Sequence, residues 1–259
     1  MDDHFLIGQR KFTSRLIIGS GKYKSFQETK NALDVSGAQM ITVAIARTNI
    51  GQDSKKENLL DYIDKDIYTI LPNTAGCFKA DEAVRVAMIA RELLETNLLK
   101  LEVLLDKKSL LPNESETLKA AEKLVKENFS VMVYTTQNIL LAKDLENIGC
   151  DAIMPLGSQI GTGQGIKTPS NIRKIIEKAN VPVIVDAGIR TPSDASLAME
   201  MGCEAVLLNT SIAESKNPIK MAEAMKYAVK AGRLSYVAKA MKIKDERSEE
   251  RRVGKECER

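Results

Sequence analysis

The chain alternates short apolar segments with longer segments in which apolar residues recur at helical spacing. The short segments are rich in β-branched and aliphatic residues, and the longer ones have the period of amphipathic helices. Strands separated by helices in a repeating order are typical of parallel strands joined by crossover helices. The predicted strands are residues 16–18, 40–44, 67–71, 99–103, 130–134, 152–155, 183–186 and 205–208. The predicted helices include residues 80–94, 115–127, 139–148, 170–178, 193–201 and 219–231.

Eight such strands with helices between them predict an α/β fold, a (β/α)8 TIM barrel. The alternative is a doubly wound open sheet, which usually has fewer strands and a glycine-rich first turn. Residues 5–7 and 11–13 flank a turn and predict a short N-terminal hairpin at the bottom of the barrel. We expect residues 1–243 to form one domain. Residues 244–259 carry six basic and six acidic side chains, and we expect this tail to be disordered or foreign to the native sequence.

The histidine count narrows the chemistry more than any other feature of the composition. His4 is the single histidine among 259 residues, and it lies outside the predicted barrel. The barrel therefore cannot contain a Ser-His-Asp triad, a two-histidine metal site or a histidine general base. Acid–base work falls to Asp, Glu, Lys, Tyr or water, and we expect neither a metal nor a cofactor.

Charge and cysteine usage bear on partners and location. The net charge of +3 comes from 38 basic and 35 acidic residues, a balance that does not favour nucleic-acid binding. None of the four cysteines forms a CxxC pair, no secretory signal precedes them, and no apolar run approaches the length of a membrane span. We therefore expect a cytoplasmic protein that binds neither nucleic acid nor membrane.

The predicted fourth strand places two charges where a barrel has its interior. Lys100 and Glu102 alternate with Leu99, Leu101 and Val103, so the charged side chains share the inward face. A buried structural ion pair would account for them. The alternative is a lysine nucleophile that forms a Schiff base beside a carboxylate. An unperturbed lysine is a free amine in about one molecule in 2,500 at pH 7, so either burial lowers its pKa or Glu102 holds a proton.

The loops after the strands supply the other candidates, because TIM-barrel active sites lie at the C-terminal ends of the strands. Asp186 ends the seventh strand and predicts a catalytic carboxylate, with a cap for the next helix as the alternative. The small residues Ala187 and Gly188 let a ligand approach the backbone. Gly188, Asn209 and Thr210 lie in the loops after strands seven and eight, where such barrels bind phosphate.

Glycine-rich loops and thiols give weaker signals. The loop 157–165 contains four glycines and could wrap an anion, but it matches neither a Walker loop nor a dinucleotide motif. The loop 19–22 also lacks the Walker spacing, and we interpret it as the first strand-to-helix loop. Without a histidine to activate it, Cys77 is interpreted as structural rather than nucleophilic. Cys150 and Cys203 lie in predicted helix-to-strand turns and are interpreted as packing residues.

Six stretches together resemble the thiazole synthases of thiamine biosynthesis. The resemblance extends from about Phe12 to Met241 in the family's order and spacing. The departures from the family's pattern leave every proposed reactive group in place; they are Leu98, Leu104, Leu105, Val133 and Arg190, of which Arg190 lies near the predicted phosphate region. The matching stretches are LPNTAGCFKADEAV, TNLLKLEV, LLPNESETLKAAE, MPLGSQIGTGQGI, PVIVDAGIRTPSDA and VLLNTSIAESKNP.

The resemblance implies a reaction. Lys100 would form an imine with the C2 ketone of 1-deoxy-D-xylulose 5-phosphate, and proton transfers would move the carbonyl to C3. The thiocarboxylate of a sulfur-carrier protein would attack there, and 2-iminoacetate (dehydroglycine) would supply the remaining C–N unit of the thiazole phosphate. Glu102 and Asp186 match the family's acid–base carboxylates. The residues that match its substrate-binding positions are Gly161, Ala187, Gly188, Asn209 and Thr210.

The resemblance also implies partners. They are the sulfur carrier, the enzyme that produces dehydroglycine, and further copies of the chain in a homo-oligomer, a tetramer. Two other functions stay open from the residues alone. One is a deoxyribose-phosphate-type aldolase, which shares the barrel, the lysine and the phosphate. The other is a catalytically silent barrel that serves as a binding subunit.

Overall fold

The computed structural model describes residues 3–241, and the predicted tail 244–259 lies outside them. Strands and helices alternate through most of this part of the chain. The strands are β1 (Phe5–Ile7), β2 (Arg10–Phe12), β3 (Leu16–Gly19), β4 (Met40–Ala44), β5 (Thr69–Asn73), β6 (Leu98–Leu101), β7 (Ser130–Thr135), β8 (Ala152–Pro155), β9 (Ile184–Asp186) and β10 (Ala205–Leu208). The α-helices are α1 (Phe26–Ser36), α2 (Ala80–Leu94), α3 (Glu114–Lys126), α4 (Ile139–Ile148), α5 (Pro169–Lys178), α6 (Pro192–Glu200), α7 (Thr210–Ala213) and α8 (Pro218–Ala238).

Strands β3 to β10 form a parallel barrel, which confirms the predicted (β/α)8 fold. Their hydrogen-bonded order is β8-β7-β6-β5-β4-β3-β10-β9. Two parallel bridges, Ile153 with Val183 and Leu156 with Asp186, join β8 to β9 and close the ring. The C-terminal ends of all eight strands therefore surround one mouth of the barrel.

The N-terminal hairpin fills the opposite end. β1 and β2 pair antiparallel, and Phe5, Ile7 and Phe12 are buried. These three side chains belong to one apolar cluster with inward-facing strand residues such as Ile17 and Met132. Burial of aromatic and aliphatic side chains here closes the bottom of the barrel and leaves the C-terminal mouth for polar groups.

The outward face of β6 packs on the surrounding helices. Leu99 and Leu101 of β6, with Val103 just after the strand, are fully buried in a cluster that includes Ala87 of α2 and Leu124 of α3. Because side chains alternate along a strand, this packing directs the intervening charged residues into the barrel. The orientation predicted from the sequence is therefore confirmed.

The predicted start of β5 was wrong by two residues. Ile67 was assigned to the strand, but it is 67 % exposed and its amide donates to the Asp64 carbonyl in a turn. The strand begins at Thr69 and extends to Asn73, which lies at the mouth. Ile67 was therefore assigned to the strand only because it is apolar, although it lies in a polar loop.

Two other strands end earlier than predicted. β6 ends at Leu101 rather than at 103, because the next residue bonds a threonine side chain instead of the neighbouring strand. β2 ends at Phe12 rather than at 13, because the amide and hydroxyl of Thr13 donate to the side chain of Gln39. Among residues 3–241, no helix is both long and apolar enough to cross a bilayer.

Candidate active site

Three charged side chains meet inside the barrel at its C-terminal mouth. Lys100 lies on β6, Glu102 directly follows this strand, and Asp186 ends β9. Lys100 Nζ donates to Glu102 Oε1 at 2.7 Å and lies 2.6 Å from Asp186 Oδ2. The three side chains are 4–6 % exposed. The structure therefore brings together the three residues predicted to be catalytic.

Burial and charge act in opposite directions on this cluster. Burial lowers the pKa of Lys100, but the carboxylates of Asp186 and Glu102 outweigh this effect and hold the pKa above its usual value. Burial raises the pKa of Asp186, against the opposing effect of the Lys100 ammonium. Lys100 is therefore held as an ammonium ion, next to a carboxyl group whose affinity for a proton is increased. Of the two possibilities that the sequence leaves open, the close contacts of Lys100 with both carboxylates argue against desolvation as the dominant effect.

The side chain of Thr74 fixes the backbone of Glu102. β5 and β6 share one register pair, Asn73 with Lys100. Beyond this pair, Thr74 Oγ1 accepts from the Glu102 amide at 2.8 Å and donates to the Glu102 carbonyl at 2.7 Å. Both buried backbone groups are thereby satisfied, and Thr74 is itself fully buried. Thr74 and Asn73 were not predicted from the sequence as site residues, because the predicted third barrel strand ended at residue 71 and the strand extends to Asn73.

An apolar cluster borders the lysine. Tyr134 lies on β7, is fully buried, and packs with Leu104 and Leu156. Lys100 Nζ lies 5.5 Å from the centre of the Tyr134 ring, within the range of cation–π attraction. Burial raises the pKa of Tyr134, so its hydroxyl is protonated and lies 3.4 Å from the Leu110 carbonyl. Tyr134 was not predicted from the sequence as a site residue, although a position near the C-terminal end of a barrel strand is a signal for such residues.

The loops after β8 and β9 pack tightly against each other. A β-carbon on Gly188 would collide with Ser158, and the Gly165 amide donates to the Gly188 carbonyl at 2.8 Å. Ala187 has a φ of +66°, a conformation that costs a residue with a β-carbon about 1–3 kcal/mol and clusters at functional sites. This constrained backbone follows directly on the carboxylate of Asp186.

The other predicted substrate-binding residues surround the same mouth. Gly161 is exposed in the loop after β8, with a φ of +77°. Asn209 follows β10, and Thr210 begins α7. A β-carbon on Gly19, which ends β3, would lie 2.7 Å from the β-carbon of Asn209. Asn209 Oδ1 is buried without a hydrogen-bond partner among residues 3–241, so this acceptor is available to a ligand or a water molecule.

The helix-cap alternative for Asp186 does not hold. Helix α6 begins after Thr191, whose side chain accepts from the backbone of Asp194 while the Asp194 side chain accepts from the Thr191 amide. This capping box satisfies the first turn without Asp186. The carboxylate of Asp186 instead faces Lys100.

Among residues 3–241, the three thiols, those of Cys77, Cys150 and Cys203, do not take part in the cluster. Cys77 is 5 % exposed, and burial raises its pKa to about 11, with Glu82 adding to the shift. Burial raises the pKa of Cys150 to about 12 and moves that of Cys203 in the same direction. Such thiols are protonated at neutral pH, which supports their structural interpretation. Residues 3–241 contain no group of three His, Cys, Asp or Glu side chains arranged to hold a metal ion.

Sequence comparison assigns the chain to a family. Residues 6–250 match the family described as thiazole biosynthesis protein ThiG. The chain belongs to this family. A thiazole synthase of Pseudomonas aeruginosa is 58 % identical over 241 residues, which are 93 % of this chain and 91 % of the relative. A thiazole synthase of Aromatoleum aromaticum is 57 % identical over 242 residues, which are 93 % of each chain.

Solved structures share the fold of this chain. A BexX/CysO complex from Amycolatopsis orientalis matches at a TM-score of 0.82 and 31 % identity, over 92 % of this chain and 97 % of that chain. Thiamine phosphate pyrophosphorylase from Pyrococcus furiosus shares the fold alone, at a TM-score of 0.58 and 17 % identity over 84 % of this chain and 95 % of that one. As a member of the ThiG family, the chain is an enzyme of thiamine thiazole biosynthesis. The resemblance noted in the sequence is confirmed, and it displaces the aldolase and the silent barrel.

Proposed function

We propose that this thiazole synthase combines 1-deoxy-D-xylulose 5-phosphate, 2-iminoacetate and the sulfur of a thiocarboxylated carrier protein, through an imine on Lys100. The observation that carries the proposal is the buried contact of Lys100 Nζ with Glu102 and Asp186. A buried ion pair alone needs one carboxylate for one ammonium. The second carboxylate provides a place for the proton that the lysine must lose before it can attack a carbonyl.

Imine formation is the first step. Asp186 accepts a proton from Lys100, because burial has already raised the pKa of this carboxyl group. The free amine adds to the C2 ketone of the sugar, and the resulting carbinolamine loses its hydroxyl as water. The proton held by Asp186 is returned to that hydroxyl, so the carboxylate is restored as the imine forms.

The carbonyl shift is the second step. The imine increases the acidity of the C3–H bond, and a carboxylate removes this proton. A proton then adds at C2 while the C3 hydroxyl loses its proton, which leaves a ketone at C3. Glu102 and Asp186 both contact Nζ, so both carboxylates lie close in space to C2 and C3 once the imine has formed. The thiocarboxylate sulfur then adds to C3, and the C3 oxygen leaves on the carrier's acyl carbon, so that the carrier departs as a carboxylate and the sulfur stays on the sugar. This sulfur adds to the imine carbon of 2-iminoacetate, the nitrogen of that unit displaces Lys100 from C2, and loss of water forms the ring.

Phosphate binding would hold the sugar for these steps. We assign it to the tight loops after β8, β9 and β10, which surround the mouth above the lysine. Contacts to the phosphate lie away from the reacting carbons, so their binding energy can orient C2 toward Nζ without opposing the chemistry. The assigned residues are Gly161, Ala187, Gly188, Asn209 and Thr210.

The proposal extends to partners and organisation. We infer that the enzyme binds the sulfur carrier and the dehydroglycine-producing enzyme, and that it assembles as a homotetramer. The solved BexX/CysO complex supports a second protein as partner for this fold. Residues 1–243 would act as one catalytic domain in the cytoplasm, and the free thiols of Cys77, Cys150 and Cys203 support a reducing compartment.

Trapping the imine tests the central step. Protein incubated with 1-deoxy-D-xylulose 5-phosphate and borohydride should gain a reduced sugar-phosphate adduct that peptide mass spectrometry locates on Lys100. Lys100→Arg is the matched control, because it keeps the positive charge between the carboxylates but cannot form the imine. An adduct on another lysine, or none in the unmodified protein, would overturn the proposal.

A further inference from the structure

A second lysine lies at the mouth, outside the cluster around Lys100. Lys22 belongs to the loop between β3 and α1 and has a φ of +69°. A β-carbon built on Gly161 would lie 3.6 Å from Lys22 Nζ, so the ammonium lies against the backbone of the loop after β8. Lys22 Nζ also pairs with Glu214 Oε1 at 2.7 Å. No role for the loop 19–22 follows from the sequence. The contact of Lys22 with the backbone at Gly161 places this loop beside the proposed phosphate region.

The same loop contacts the proposed phosphate residues that follow β10. A β-carbon on Gly21 would lie 3.4 Å from Asn209 Nδ2. The amide of Glu214 donates to the Thr210 carbonyl at 2.9 Å, which fixes the acidic partner of Lys22 to this segment. Lys22 therefore connects, directly or through Glu214, to residues on both sides of the proposed phosphate site.

Lys22 can leave Glu214 for another anion at little cost in free energy. The side chains are 46 % and 55 % exposed, and exposed ion pairs of this kind contribute little to stability. A phosphate monoester carries up to two negative charges and three acceptor oxygens, so it competes well with one carboxylate for an ammonium. Without a cation nearby, the carboxylate of Glu214 would instead repel a phosphate bound at Gly161.

We propose that Lys22 binds the phosphate of the sugar substrate and leaves Glu214 when it does so. In the absence of substrate, Glu214 holds the lysine at the rim of the mouth. This inference rests on the proposed function, because it takes the phosphate to lie beside Gly161 and Asn209. Lys22 then sets the preference for phosphorylated over unphosphorylated sugar, while the chemistry at Lys100 does not depend on it.

Borohydride trapping at varied sugar concentration tests the inference. Lys22→Met should raise the half-saturating concentration of 1-deoxy-D-xylulose 5-phosphate about tenfold, the effect of losing one charge-assisted hydrogen bond. The maximal trapping rate should stay within about twofold, since the group at C5 is remote from the imine. Unphosphorylated 1-deoxy-D-xylulose should be trapped equally well by both proteins. Lys24→Met is the matched control, because Lys24 is exposed on the same loop and should change nothing.

A double variant separates phosphate binding from screening of Glu214. If Lys22 only neutralised Glu214, the double variant Lys22→Met with Glu214→Gln would regain the original half-saturation, and the inference would be wrong. We expect it to stay several-fold weaker than the unmodified protein. An unchanged half-saturation in Lys22→Met alone would also overturn the inference.

Calorimetric titration with inorganic phosphate makes the inference independent of the imine. We expect Lys22→Met to weaken this binding about tenfold and Lys24→Met to leave it unchanged. Weakened phosphate binding together with no adduct on Lys100 would reject the proposed function and keep the anion site. An adduct on Lys100 with phosphate binding unaffected by Lys22→Met would keep the proposed function and reject the role of Lys22.

Discussion

At the scale of single residues, Lys100 is buried and yet has a pKa that its carboxylate neighbours hold above the usual value. Desolvation alone would favour the neutral amine, but two carboxylates within 2.7 Å reverse this preference. A protonated lysine is not a nucleophile, so the reaction must begin with a proton transfer inside the cluster. The two carboxylates therefore have opposing effects: they raise the pKa of the nucleophile and also provide the acceptor for its proton.

Replacing Asp186 separates these effects. Asp186→Asn removes one of the charges that hold the pKa of Lys100 up, so the free-amine fraction at a given pH rises. The rise of the trapping rate with pH, which follows the free-amine fraction, should therefore occur at a pH lower by about 1 unit or more. The maximal rate should fall at least about 100-fold, because the proton acceptor is gone. Borohydride trapping between pH 6 and pH 10 measures both quantities, and a rise that moves to higher pH would contradict this account.

At the scale of elements, strand periodicity predicted the site better than it predicted the strand ends. The alternation of apolar and charged residues along β6 was sufficient to predict that Lys100 and Glu102 point into the barrel, because the period of a strand is two residues. Helices α2 and α4 begin and end where their apolar periods do. A pattern of burial contains no information about which group bonds a backbone amide. The contribution of Thr74 was therefore invisible until the structure was known.

The hydroxyl of Thr74 forms the hydrogen bonds with the Glu102 backbone that a neighbouring strand would otherwise form. This positioning role can be tested by substitution. Thr74→Val keeps the shape but leaves a buried amide and a buried carbonyl unsatisfied, which should cost about 1–3 kcal/mol of unfolding free energy. Because the carboxylate of Glu102 would shift, kcat should fall roughly tenfold with little change in KM. Urea unfolding and steady-state kinetics measure the two effects. Thr74→Ser keeps the hydroxyl and should restore kcat, and a valine variant with unchanged kcat would show that Thr74 has no positioning role.

At the scale of the whole molecule, a charged network fastens the chain's N-terminal segment to the bottom of the barrel. Arg15 is 4 % exposed, pairs with Glu204, and lies 2.6 Å from Asp3. Asp3 also pairs with Arg233 of α8 at 2.7 Å. The network therefore joins the segment before β1 to β3, β10 and the last helix. Charged groups as well as the apolar hairpin therefore connect the elements at the bottom of the barrel.

Removal of one carboxylate should reveal this contribution through its pH dependence. The hydrogen bond from Arg233, opposed by partial burial and assisted by Arg15, holds the pKa of Asp3 well below its usual value. Stability from a lowered carboxyl pKa is present above the unfolded pKa of about 4 and is lost as the pH falls toward the folded value. Asp3→Asn should therefore lower the unfolding free energy by about 1 kcal/mol at pH 7 and pH 5, a small effect because Asp3 is 46 % exposed.

The difference between Asp3→Asn and the unmodified protein should shrink at pH 3, where part of the Asp3 contribution is lost in both. Urea unfolding at the three pH values measures it. Asp144→Asn removes an exposed carboxylate on α4 and serves as the matched control, with no expected change. A deficit of Asp3→Asn that grows as the pH falls would have the wrong sign for a carboxylate of lowered pKa. It would show that the ion pairs of Arg15 and Arg233 do not fasten the N-terminal segment to the barrel.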